Sequence, residues 1–205
     1  MKNLTKLVTV FVIVFLMASQ TSFAATATNG PVNISASIDG ALSLTVALKK
    51  NSSTGAIVTS MDFGQLVDIG TGTLRSSPTS TTGTGNVTAM ISANSHGLPY
   101  TITQTGTALS NGITTLPAGA CTVVPVYAAA DNGPTAPPLV GALGTKGTWV
   151  ASGKTLYTSD AVGSVRVFQA VYSVTDDPAA GATTGVPVSQ AGGTYNGTVT
   201  FTVTA

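Results

Sequence analysis

Charge is nearly missing from this sequence. Charged residues fill 7% of its 205 positions, against roughly 25% in ordinary globular chains. Glutamate is absent, and all seven acidic residues are aspartates. That removes a strong helix former and the Glu–Lys pairs that lace exposed helices. There is one His and one Cys, too few groups for acid–base or metal chemistry. The expectation is therefore a non-enzyme with no catalytic, cofactor-binding or metal-binding residues. The formal net charge is +1, which offers nothing to a phosphate backbone and excludes nucleic acid as a partner. A lone Cys121 excludes an intramolecular disulfide. What remains is an intermolecular bond, a reactive thiol, or a small buried apolar residue, and its neighbours Ala120, Val123 and Val124 favour the last.

Apolar residues are plentiful, at 43%, so a single core is affordable at this length. Residues 1–24 read as a secretory signal peptide. Lys2 and Lys6 precede an apolar run at residues 7–18, and Ser22-Phe23-Ala24 places small residues for cleavage after Ala24. The run is shorter than the ~20 residues a bilayer span needs, and no later run is longer, so the mature chain is expected to hold no integral membrane segment. The expected location is secreted: periplasm in transit, then cell surface or extracellular.

From residue 25 onward the pattern is period-2 alternation broken by turn residues, the mark of strands. Val32, Ile34, Ala36 and Ile38 alternate with Asn33, Ser35 and Ser37, then Asp39-Gly40 signals a turn, and Leu42, Leu44, Val46 and Leu48 alternate again. Residues 61–67 predict a short strand, and residues 70–86 a polar loop around a short edge strand. Residues 86–93, 100–105 and 121–128 predict three more strands, the last demoted to an edge or a bulge by Pro125. Residues 131–148 look like a Pro/Gly-rich insertion. Residues 165–174 are apolar on both alternating sets, as in a central strand. At the C-terminus, Tyr195, Val199, Phe201 and Val203 share one face against Thr194, Asn196, Thr198, Thr200, Thr202 and Thr204. Eight to ten strands and no useful helix predict an all-β fold. The expected architecture is a single immunoglobulin-like or pilin-like β-sandwich of mostly antiparallel strands over residues 25–205.

Individual chemical signals are weak. His96, between Ser95 and Gly97, reads as a surface-turn histidine. Asp176-Asp177-Pro178 lacks the regular acidic spacing of a calcium loop and reads as a solvated turn. The glycosylation sequons at Asn33, Asn51, Asn86 and Asn196 are matches that a Ser/Thr-rich chain produces by chance. Trp149 and Tyr157 are the aromatics with which a polysaccharide-binding module would stack on sugar, but single aromatics more often fill cores or cover loops.

The ending Gly193-Thr194-Tyr195-Asn196-Gly197-Thr198-Val199-Thr200-Phe201-Thr202-Val203-Thr204 resembles the last strand of the spore coat protein U family, which includes subunits of archaic chaperone–usher pili. Met61-Asp62-Phe63-Gly64-Gln65-Leu66 is similar to that family's Phe-Gly block, and Tyr100-Thr101-Ile102-Thr103-Gln104-Thr105-Gly106 to its central strand. Val126-Tyr127-Ala128-Ala129-Ala130-Asp131 is similar to its Tyr-then-Asp block, and Val167-Phe168-Gln169-Ala170-Val171-Tyr172 to the strand before its last loop. A related group of secreted bacterial β-sandwich proteins shares the Phe-Gly block and the Gly-Thr-Tyr ending. The single Cys and the 131–148 insertion depart from the pilus-subunit pattern. The resemblance implies a structural subunit of a fimbrium, pilus or coat on the cell surface, polymerising by strand donation. A periplasmic chaperone and an outer-membrane usher are its implied partners. Val32, Ile34, Ala36 and Ile38 have the spacing of donor-strand plugs, and equally of an ordinary first strand. The alternative is a monomeric secreted module that binds polysaccharide or another surface protein.

Overall fold

A computed structural model describes residues 42–50, 52–68, 70–76, 86–127, 141–164 and 167–205. The signal-peptide region and the 32–38 segment, with Val32, Ile34, Ala36 and Ile38, lie outside the described residues. Contacts divide the chain between Asp39 and Gly40, and everything below concerns the second unit.

Among the described residues thirteen strands form three antiparallel sheets, and eight of them are four residues or longer. The expected all-β sandwich is what the chain forms. One face is a six-stranded sheet in the order β2 (Ile57–Val58), β1 (Ser43–Lys50), β5 (Val87–Asn94), β11 (Val167–Val174), β7 (Cys121–Tyr127), β9 (Gly147–Thr148). The opposing face is four-stranded: β13 (Val199–Thr204), β6 (Thr101–Gly106), β10 (Lys154–Ser159), β8 (Gly141–Leu143). A third sheet joins β12 (Val186–Pro187), β4 (Thr73–Ser76) and β3 (Leu66–Asp68).

The local sequence explains the layering. β5 and β11 are apolar on both alternating sets, and both are internal to the large sheet. Val87, Ala89, Ile91, Phe168, Ala170, Tyr172 and Val174 turn to the core at 2% exposure or less. From the facing sheet come Ile102, Leu156 and Tyr157, all fully buried. Aromatic rings cross the gap. Tyr157 stacks on Phe168 at 5.2 Å between centroids, and Phe201 meets Tyr172 edge-on at 6.3 Å, both favourable geometries. The outer face of the small sheet is hydroxyl-rich, with Thr200, Thr202 and Thr204 opposite Thr105, Thr103 and Thr101.

One polar side chain is drawn inward by its strand's period. Gln104 shares the face of Ile102 and is fully buried. Its amide accepts a hydrogen bond from the Tyr172 hydroxyl and donates to the Trp149 carbonyl at 3.4 Å. Burial pushes the Tyr172 phenol up, so it stays protonated and donates.

Several boundaries differ from the sequence reading. The 61–67 strand is confined to β3, because Asp62 accepts from the Gly64 amide at 2.9 Å and turns the chain there. β4 is not an edge strand; it lies between β12 and β3. The C-terminal part of the 131–148 insertion supplies β8 and β9, which end their sheets. Tyr195 precedes the last strand instead of belonging to it. Among the described residues Pro125 sits where β7 is paired on one side only, since β9 meets just Thr122 and Val123.

Asp176 ties the third sheet to the end of β11. Its carboxylate accepts from Thr73 and Thr71 and lies 3.8 Å from the Arg75 guanidinium. The Thr73 hydrogen bond leads in holding its pKa below the usual carboxylate value, with smaller help from Thr71 and Arg75 and opposition from burial. A lowered carboxylate pKa stabilises the fold at pH above the unfolded value, about 4. That contribution disappears as pH falls through the lower folded value. Asp176→Asn is therefore expected to lower stability at neutral pH and to flatten the acid limb of a thermal-melt series below pH 4. An unchanged acid limb would refute the tie.

A candidate strand-accepting groove

The two sheets do not close on the side where β1 faces β13. β1 pairs with β5 along its whole length, but β2 covers only Leu48 and Lys49 on its other side. β13 pairs with β6 from Val199 to Thr204. Among the described residues no strand pairs with the outer side of β13 or with Ser43–Ala47 of β1. Among the described residues these two edges carry backbone N–H and C=O groups with no ladder partner, and such edges are templates for a further strand.

Between them runs an open groove of about 960 Å³. Val46 and Leu48 of β1 form one wall, Val199 and Phe201 of β13 the other, and Phe63 and Trp149 also line it. The alternation of both strands turns these side chains toward the core cluster, yet Leu44, Val46, Leu48, Val199, Phe201 and Val203 remain only half-buried. Phe63 stacks on Trp149 at 6.2 Å. Thus three of the four residues expected on the terminal apolar face, Val199, Phe201 and Val203, lie on β13, and the first two border the groove. Tyr195 is held beside it, its hydroxyl hydrogen-bonded to the Ala191 carbonyl at 2.6 Å and to Gln190 at 2.9 Å.

The other chemical candidates are placed apart from the groove. His96 is exposed in a turn at φ 53°, with its amide bonded to Asn94 Oδ1 at 3.0 Å. Asp177 caps a short 3-10 turn at Pro178–Ala180 by accepting from the Ala179 amide. No group of three His, Cys, Asp or Glu side chains suited to a metal occurs among the described residues. No described helix is long and apolar enough to cross a membrane. Of the two readings of Trp149 and Tyr157, sugar stacking and core filling, the second fits, since they are 2% and 0% exposed. Both are core residues whose large apolar area the sandwich buries.

Cys121 is fully buried on β7 opposite Val174, and burial pushes its thiol up to about 12. A thiol with so little thiolate reacts slowly. Native protein at pH 8 is expected to be modified by a soluble disulfide reagent about a hundredfold more slowly than unfolded protein. Equal rates would mean that Cys121 is accessible.

Sequence reasoning found β1 and β13 as strands but did not find the groove. Period-2 patterns report which face a strand buries, not which edge lacks a neighbour. Comparison with family models, with curated proteins and with solved structures finds no match for this chain.

Proposed function

We propose that this chain is a non-catalytic, secreted structural subunit of a bacterial surface fibre, pilus or coat, assembled by β-strand donation. The observation that carries the reading is the groove between the edges of β1 and β13, which have no strand on them among the described residues. An extended segment laid there would satisfy both exposed backbone rows and cover the half-buried apolar walls. The segment with matching alternation is residues 32–38, in which Val32, Ile34, Ala36 and Ile38 would point inward. Low charge suits a chain that covers much of its own surface in a polymer. A periplasmic chaperone and an outer-membrane usher are the partners such assembly calls for, because an unfilled groove invites wrong pairing in transit. The sugar-binding alternative loses support with the burial of Trp149 and Tyr157.

The direct test is on native cells. Surface material is sheared off, high-mass assemblies are pelleted, and the pellet is examined by electron microscopy and mass spectrometry. The chain is expected as the main component of regular fibres or coat material. Recovery solely as soluble monomer would reject the proposal.

A further inference from the structure

One residue lining the groove carries a buried polar group that has no partner among the described residues. Trp149 is 2% exposed, and its indole Nε1–H has no acceptor among the described residues. A buried donor without an acceptor is rare in native proteins and calls for an explanation. The indole is not free to swing out and find one. The Trp149 amide donates to the Cys121 carbonyl at 2.8 Å, and its carbonyl accepts from Gln104. Phe63 lies against the ring face, and Tyr172 meets it at 6.4 Å and 69°. The β6 backbone closes another side: a Cβ on Gly106 would come within 2.2 Å of the Trp149 carbonyl and 2.8 Å of ring atom Cε3. With the ring fixed on every one of these sides, the acceptor has to be brought to it, and Trp149 borders the groove.

We infer that Trp149 Nε1–H donates a hydrogen bond to a main-chain carbonyl of the strand that fills the groove, and that this strand is residues 32–38 of a second copy of the chain. The inference rests on the strand-donation reading and adds a specific contact to it. An extended peptide matches the groove in each respect. It carries apolar side chains at every second position for the walls, donors and acceptors for the two unpaired edges, and carbonyls within reach of a buried donor. Charge agrees as well. Residues 25–38 carry no charged side chain, and Asp62 is the one formally charged residue of the wall among the described residues.

Trp149 is the single Trp of the chain, so its indole gives one 15N–1H cross-peak, a reporter of this contact alone. The test uses the whole chain carrying Val32→Asp, Ile34→Asp and Ile38→Asp, whose own segment cannot fill a groove. The probe is a synthetic peptide of residues 30–40. On adding peptide the indole cross-peak is expected to move downfield and its solvent exchange to slow by about tenfold or more. Trp149→Phe in the same chain is expected to weaken peptide binding about five- to tenfold, the loss of one hydrogen bond. Should that variant fail to fold, the cross-peak of the Trp-bearing chain carries the test by itself. Peptide that binds while the indole peak stays in place would overturn the Trp149 contact and leave strand donation standing. Peptide that does not bind at all would overturn both. A shifted, protected peak in dilute wild-type monomer, unchanged with concentration, would assign the groove to the chain's own segment and overturn the second-copy occupant.

Discussion

The chain carrying Val32→Asp, Ile34→Asp and Ile38→Asp is expected to remain monomeric under conditions where the wild type assembles. Each of the three side chains would bury against the walls formed by Val46, Leu48, Val199 and Phe201. Full burial of one such side chain is worth about 1.5–3 kcal/mol. Replacing all three removes that gain and forces carboxylates toward an apolar groove, where an unpaired charge is strongly disfavoured. The three substitutions leave core residues such as Ile91, Ile102 and Phe168 unchanged, and the melt tests whether the variant keeps its fold. Sedimentation velocity reads the assembly state, and a thermal melt on the same sample reports the fold. Loss of assembly with a retained melting transition fits a donor role. Polymers that persist in the triple variant would rule out residues 32–38 as the donated strand.

Phe168→Ala is expected to have the largest effect on stability of any single change considered. Phe168 is fully buried on β11 between β5 and β7, and its ring stacks on Tyr157 of the opposing sheet. Truncation leaves a cavity at the junction of two sheets, and neighbours held in ladders collapse into it poorly. Such changes cost about 3–5 kcal/mol. Typical domains have only 5–15 kcal/mol in total, so the urea midpoint should fall steeply while the slope of the transition stays constant. Thr202→Ala, on the exposed face of β13, is the matched control and should change stability by about 0.5 kcal/mol or less. A Phe168→Ala loss no larger than that of the control would mean that the sheets do not pack at this point.

The all-β class was legible because its signal is local. Thr200, Thr202 and Thr204 alternating with Val199, Phe201 and Val203 specify a two-faced strand wherever it is paired. The apolar content of both sets in residues 167–174 specifies an interior strand, and β11 is flanked on both sides.

Tertiary structure decided the rest. β8 and β9 have three and two residues, too few to show a period, so they form only because longer strands offer edges to them. Trp149 and Tyr157 are compatible in sequence with sugar stacking or with a core, and the sandwich encloses them. Gln104 reads as a polar interruption until Tyr172 and the Trp149 carbonyl are brought to it from 68 and 45 residues away. The groove belongs to this second group. Alternation in β1 and β13 determines which side chains turn inward, but whether two strand edges meet, pair or stay open depends on partners distant in sequence. By itself the sequence determined the faces of this protein, because a strand's two faces follow from a repeat of two residues. Only the tertiary structure decided its edges, because hydrogen-bond partners across a sheet are chosen by the whole fold.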